Sequence, residues 1–200
     1  MCVEKIEGKK MKLVKSLALS ALVGLSFLNA ASYSVDASHS DVGFKVKHMM
    51  ISSVKGNFEK FDGTFTIDEK TKQFSAINGT VEVASLTTQE AKRDAHLKSA
   101  DFFDAAKYPQ MNLKLLKQSG DEGTFELTIK DVTKVVTLNI EEISGSVKDP
   151  WGNTRLGFEL SGKINRKDFN INFNKVLETG SLLVGDKVKF EILIEGIQIK

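Results

Sequence analysis

Val188-Lys189-Phe190-Glu191-Ile192-Leu193-Ile194-Glu195 alternates apolar and polar positions almost without a break. Side chains along a strand point to opposite faces in turn. Val188, Phe190, Ile192 and Ile194 therefore share one face, and Lys189, Glu191, Leu193 and Glu195 the other. One face suits an apolar interior and the other water, the division found in antiparallel sheets. The same period of two recurs in residues 42–48, 61–67, 111–115, 125–129, 136–140 and 156–164. Turn-forming residues separate the runs at 68–72, at Ser119-Gly120-Asp121-Glu122-Gly123 and at Asp149-Pro150-Trp151-Gly152-Asn153. Both prolines fall outside the runs and leave their ladders unbroken. The pattern predicts an all-β, antiparallel fold of about eight strands, a sandwich or a closed barrel.

One segment departs from the rhythm. Thr87-Thr88-Gln89-Glu90 has the form of a capping box, with Thr87 as N-cap and Glu90 three residues on. A helix over 91–99 follows, and 101–107 offers a second short turn before Pro109, so one or two short helices are expected near residues 88–107. No internal repeat or low-complexity linker divides the chain, which reads as one domain over 33–200.

Residues 1–31 read as an address. Met11-Lys12-Leu13-Val14-Lys15 is a basic start, 17–28 is apolar and uncharged, and Ala30-Ala31-Ser32 are small residues suited to cleavage. The apolar run is short for a membrane span, and small residues follow it directly, so a secretory signal is expected rather than an anchor. The first ten residues precede a signal already complete from Met11, which leaves the start open between Met1 and Met11. The whole chain has 200 residues, with 28 Lys+Arg against 26 Asp+Glu. Five lysines and two glutamates lie in 1–31, so removing it leaves 23 against 24, a net charge of −1. The only cysteine, Cys2, leaves with it, which excludes a disulfide framework in the remainder. With no basic stripe, nucleic acid is not an expected partner.

Twelve of the thirteen phenylalanines lie beyond residue 31. Phe carries no hydrogen-bonding group, so an interior rich in it suits an apolar ligand or a dry core, and composition does not choose between them. A membrane-spanning barrel would need aromatic girdles and a lipid-facing apolar side, whereas the polar face here carries Lys187, Lys189 and Glu191. The histidines His39, His48 and His96 show no close metal-ligand spacing, so no metal is expected. Neither a nucleophile elbow nor a phosphate-cradling loop is present. The densest polar stretch runs from Arg93 to Asp104. Arg93 and His96, three apart, share a helix face, and Asp101 can pair with either. The group is either a charged mouth for a ligand's polar end or a network that anchors the loop.

Tyr33-Ser34-Val35-Asp36 with the run from His39 to His48, Gly56-Asn57-Phe58 with Phe61-Asp62-Gly63, the stretch from Arg93 to Asp104 with Tyr108-Pro109, Arg166-Lys167-Asp168-Phe169 and Val184-Gly185-Asp186 together resemble the YceI family. The resemblance covers residues 33 to 200 in order. It implies a periplasmic, lipocalin-like antiparallel barrel of eight strands. It also implies a long apolar ligand, such as a polyisoprenoid, an isoprenoid quinone or a fatty-acid-like lipid, and no other cofactor. The task it implies is carriage, storage or a stress response rather than catalysis. The family's habit and the outward Leu193 leave a homodimer open. Two departures stand out: Asn170 in place of a common Gly, and Lys130-Asp131-Val132-Thr133-Lys134-Val135 without the usual Gly and Pro.

The inward-facing candidates for ligand contact are Phe44, Val46, Phe58, Phe65, Ile67, Val81, Val83, Met111, Leu113, Phe125, Leu127, Leu138, Phe158, Leu160, Phe190 and Ile192, with Phe102 and Phe103 at the entrance. His39, Arg93, His96 and Asp101 are the polar candidates for the mouth or for structure. The alternatives are an enzyme on the same scaffold, with His96 and Asp101 as an acid–base pair, and a packed barrel acting through its surface.

Overall fold

The computed structural model describes residues 30–178, 180 and 182–200; Cys2 and all but the last two residues of the segment 1–31, expected to be a signal, lie outside them. Twelve strands form one sheet among these residues: β1 (Ala30–Val35), β2 (Asp41–His48), β3 (Ser52–Phe58), β4 (Phe61–Asp68), β5 (Gln73–Glu82), β6 (Leu86–Thr87), β7 (Gln110–Ser119), β8 (Glu122–Ile129), β9 (Val132–Glu141), β10 (Val147–Lys148), β11 (Thr154–Asn165) and β12 (Val184–Gln198). Several are halves of one bent strand. β1 and β2, separated by a 3-10 turn at Ala37–His39, pair in succession with β12, from Tyr33↔Gln198 to Val184↔His48. β3 and β4 form the next long strand, β5 and β6 the one after, and β9 and β10, which pair in succession with β11, a further one.

Counted this way there are eight long strands, each paired with the next in the chain. β11 pairs with β12, and β12 closes the circuit on β1 and β2. The fold is a closed antiparallel eight-stranded barrel, and the period-two runs are its strands. β8 turns directly into β9 at Lys130-Asp131, with Lys130 at φ 59°, so Val132 to Val135, the stretch without the usual Gly and Pro, belongs to β9. Asn170 adopts φ 57° and ψ 28°, a left-handed conformation that Asn tolerates better than most residues.

The helical interruption stands where it was expected but is capped differently. α1 (Ala91–Lys98) is its one α-helix, and residues 101–107 form turns. Its N-cap is Glu90, whose carboxylate accepts from the amides of Lys92 and Arg93 at 3.2 and 2.7 Å. Thr87 instead accepts from the Gln89 amide and donates to Asp94. Asp94 also accepts from the Thr88 amide at 2.8 Å and from the Thr88 hydroxyl. Asp94 thus ties the helix back to β6, a contact that sequence spacing alone does not single out.

The interior divides in two. At one end Tyr33, Phe65, Ile67, Phe74, Ile77, Phe125, Leu138, Ile140, Leu156, Phe158 and Leu160 pack into a closed core. Tyr33 stacks on Phe65 at 4.9 Å, and its hydroxyl donates to Glu69 at 2.5 Å. Burial and then the Glu69 carboxylate hold the Tyr33 phenol well above its usual range. At the other end Phe58, Val83, Leu86, Phe102, Met111, Ile129, Phe169 and Ile171 form a second cluster, against which Leu97 and Phe103 pack.

Candidate functional site

Between the two clusters the barrel encloses a cavity of about 210 Å³. Phe65, Ile77, Phe158 and Leu160 floor it with the upper side of the closed core. Val42, Phe44, Val46, Val81, Leu113, Leu127, Val188, Phe190 and Ile192 form its walls. Leu97, Phe102, Phe103, Met111, Ile129, Ile171 and Val184 surround its far end. The inner face of β5 is open beside Gly79, which stands opposite Gly63 across the ladder. Asp62 and Arg166 are the charged residues that line the cavity, and Asp62 is on the outward face of β4.

Most sequence-derived ligand candidates line this space: Phe44, Val46, Phe58, Phe65, Val81, Phe102, Phe103, Met111, Leu113, Leu127, Phe158, Leu160, Phe190 and Ile192. Four do not. Ile67, Phe125 and Leu138 belong to the closed core, and Val83 is buried under β6 with Leu86. Alternation assigned the face of Ile67, Phe125 and Leu138 correctly but carries no information on depth along the barrel axis, and Val83 sits in a 3-10 turn, where a period of two does not apply. Val35, Val42, Ile77, Leu97, Ile129, Ile164, Ile171, Val184, Val188 and Ile194 also line the cavity and were missed.

The most consequential omission is Arg166. Leu156, Phe158, Leu160, Gly162 and Ile164 all occupy inward positions of β11, so one further step of the same period points Arg166 inward. Only 3% of it is exposed. Its Nε donates to the Gly185 carbonyl at 3.0 Å and its Nη1 to the carbonyls of Ile171 and Phe173 at 2.7 and 2.8 Å. Its Nη2 donates to the Val184 carbonyl at 3.4 Å and to Asp186 Oδ1 at 3.3 Å. A guanidinium has five N–H groups, and all five are engaged. Arg166 therefore holds residues 171–173 and the start of β12 in place around the cavity and has no donor left for a ligand. Burial pulls its pKa below the usual arginine value, and Asp186 opposes that pull.

The polar candidates separate into three places. His96 Nε2 lies 2.9 Å from Asp101 Oδ2, and the imidazole stands edge-on to Phe102 and Phe173 at 5.1 and 4.8 Å. This pair is exposed and adjoins the cavity through Phe102. Arg93 does not join it: the side chain turns back to donate to the hydroxyl and carbonyl of Thr88 at 2.7 and 3.0 Å.

His39 is elsewhere, in the turn between β1 and β2, with its Nδ1 2.9 Å from Asp36 Oδ2. Asp36, His39 and Glu195 come close enough together to suggest a metal site. Arg155 already sits among these carboxylates, with Nη1 2.7 Å from Asp36 and 2.6 Å from Glu195, and Nε 2.8 Å from Asp149. The guanidinium supplies the positive charge there, and none of these residues lines the cavity.

A family model described as the YceI-like domain matches residues 33–196. Protein YceI of Escherichia coli O157:H7 is 41% identical over 195 residues, covering 90% of this chain and 98% of that protein. Among solved structures, the Campylobacter jejuni YCEI protein is 35% identical with a TM-score of 0.64, covering 82% of this chain and 96% of that one. A polyisoprenoid binding domain from Saccharophagus degradans, 14% identical with a TM-score of 0.61, shares the fold over 84% of this chain and 99% of its own. The matched residues 33–196 run from β1 into β12 and so span the barrel, and the chain belongs to the YceI family.

Proposed function

We propose that this protein carries a long apolar molecule in the cavity between its two core clusters, and that it does so in the periplasm after export by the segment over 1–31. The observation that carries the reading is a barrel interior walled by Phe, Leu, Ile, Val and Met, whose one inward charge, Arg166, has every donor engaged. A buried charged or polar head would need a partner that this interior does not offer. The part of the ligand inside is then hydrocarbon, and any polar end stays outside, near Phe102, Phe103 and the His96–Asp101 pair.

Each CH₂ moved from water into such a site contributes roughly 0.8 kcal/mol, so ten contribute on the order of 8 kcal/mol before the cost of association. A polyisoprenoid, an isoprenoid quinone or a fatty-acid-like lipid meets these demands. The shared fold of the Saccharophagus degradans polyisoprenoid binding domain supports the first.

Gentle purification from the periplasm, organic extraction and mass spectrometry test the reading. A stoichiometric long-chain lipid is the expected result. Lipid-free protein that also fails to bind fluorescent fatty-acid and quinone analogues would sink it. The acid–base geometry of His96 and Asp101 also admits catalysis, and His96→Ala separates the two: a carrier keeps its lipid and has no turnover to lose.

A further inference from the structure

The hairpin between β2 and β3 exposes what hairpin tips usually avoid. Met50 is 59% and Ile51 81% exposed, and Met49 stands beside them. Met49 and Met50 both have positive φ, 50° and 62°, in a turn closed by the Ile51 amide on the His48 carbonyl at 3.2 Å. Turns of this form favour Asn and Gly, because bulky L-residues are strained there. Local folding preferences therefore do not account for two methionines and an isoleucine at this point.

A second apolar tip lies alongside. The Met49 amide donates to the Leu183 carbonyl at 2.9 Å, and the Leu183 amide to the Lys175 carbonyl at 2.9 Å. Next to Lys175, Val176 bridges to Leu182 and is 72% exposed.

Lysines follow on the segments that lead into both tips, with Lys47 and Lys175 nearest and Lys45, Lys55 and Lys189 in a row across β2, β3 and β12 behind them. Lys45, Lys47, Lys55, Lys175, Lys187 and Lys189 are exposed, and among the described residues none has a carboxylate within ion-pair distance. The acidic residues in 45–55 and 174–189 are Glu178 and Asp186, and Asp186 is already engaged by Arg166 and Lys167. Val46 and Val184, which line the cavity, belong to the same strands within a few residues of the tips.

We propose that the paired tips, Met49-Met50-Ile51 and Val176, dock the barrel reversibly on an anionic lipid bilayer, with the lysines on the headgroups and the apolar side chains in the interface. Apolar side chains backed by lysines match a negatively charged membrane surface in both chemistry and charge. The site of docking adjoins one end of the cavity, so a chain leaving the bilayer has a short path into the barrel. The proposal stands without the carrier reading, because docking is measured with the cavity empty.

Co-sedimentation of delipidated protein with vesicles is the test. Phosphatidylcholine vesicles containing roughly 30 mol% phosphatidylglycerol are expected to bind, and pure phosphatidylcholine vesicles much less. Met50→Ser with Ile51→Ser is expected to weaken partitioning on the order of tenfold. Lys47→Gln and Lys175→Gln are each expected to weaken it about fivefold, and added salt to weaken it further. Fluorescent-lipid uptake from detergent reports the cavity separately, and the tip variants should retain it. Failure of the wild type to bind anionic vesicles, or binding that the tip variants leave unchanged, overturns the proposal. So does self-association by sedimentation velocity that the same variants abolish without vesicle binding, which assigns the tips to a second copy of the chain.

Discussion

Gly196 on β12 leaves open the space that the ring of Phe65 fills: a Cβ at position 196 would lie 2.4 Å from Phe65 Cε1 and 3.1 Å from Tyr33 Cβ. The barrel's closed end depends on this, because Phe65 also stacks on Tyr33 and meets Phe158 edge-on at 5.0 Å. Gly196→Ala is expected to destabilise by about 2–3 kcal/mol through overpacking. Phe65→Leu should relieve part of that in the double variant, giving a favourable coupling in a double-mutant cycle by urea denaturation.

Arg166 is expected to matter to the cavity without touching the ligand through a free donor. Arg166→Met strands the carbonyls of Ile171, Phe173 and Gly185, while that of Val184 keeps Asn174 Nδ2 as a donor, and should cost on the order of 3 kcal/mol in denaturant unfolding. Lipid retention should fall with it, because residues 171–173 and β12 lose their common anchor. Arg166→Lys, with three donors in place of five, should recover only part of both.

Filling the cavity separates binding from folding. Val81 faces the open space on β5, so Val81→Phe occupies room that a chain would use. Binding of a fluorescent fatty-acid analogue is expected to weaken at least about tenfold, while stability changes by no more than about 1 kcal/mol. Phe125→Leu, in the closed core, is expected to do the reverse.

The Arg155 network predicts a dependence on acid. Hydrogen bonds from Ser38, then from Arg155 and His39, hold the Asp36 carboxyl far below its ordinary range. Arg155 does the same for Asp149. A carboxyl whose folded pKa is depressed stabilises the fold above its unfolded pKa, near 4, and loses that contribution as pH falls through the lower folded value. Thermal melts should show Arg155→Met well below the wild type at neutral pH. The gap should narrow as pH drops below about 4.

The cap on α1 is testable in the same way. Glu90→Ala removes the acceptor for two amides at the helix start and should cost about 1 kcal/mol. Thr87→Ala also loses a contact to Asp94, through its hydroxyl, but leaves the cap intact. If the Thr87 variant proved the costlier of the two in thermal melts, the N-cap would belong where the spacing alone suggested.

Much of the fold is legible in the chain, because a strand's two faces report directly on their surroundings. Val188, Phe190, Ile192 and Ile194 had to face inward together whatever the neighbouring strands were. The inward parity of β11, carried one residue further, also contained Arg166. Alternation cannot state depth. Phe125 and Leu127 have identical signatures, yet Phe125 is sealed into the closed core and Leu127 lines the cavity.

Helical spacing was equally blind to partners. Arg93 and His96 share a face, but Thr88 captured the arginine and Asp101 the histidine. Alternation and motif order suffice for the all-β antiparallel class, the strand faces, the apolar interior and the family. Where that interior is packed and where it is hollow is set by the closed barrel. That follows from how strands of different length and twist stagger around a closed barrel, which brings residues far apart in the chain, such as Arg166 and Gly185 or Gly196 and Phe65, to one place.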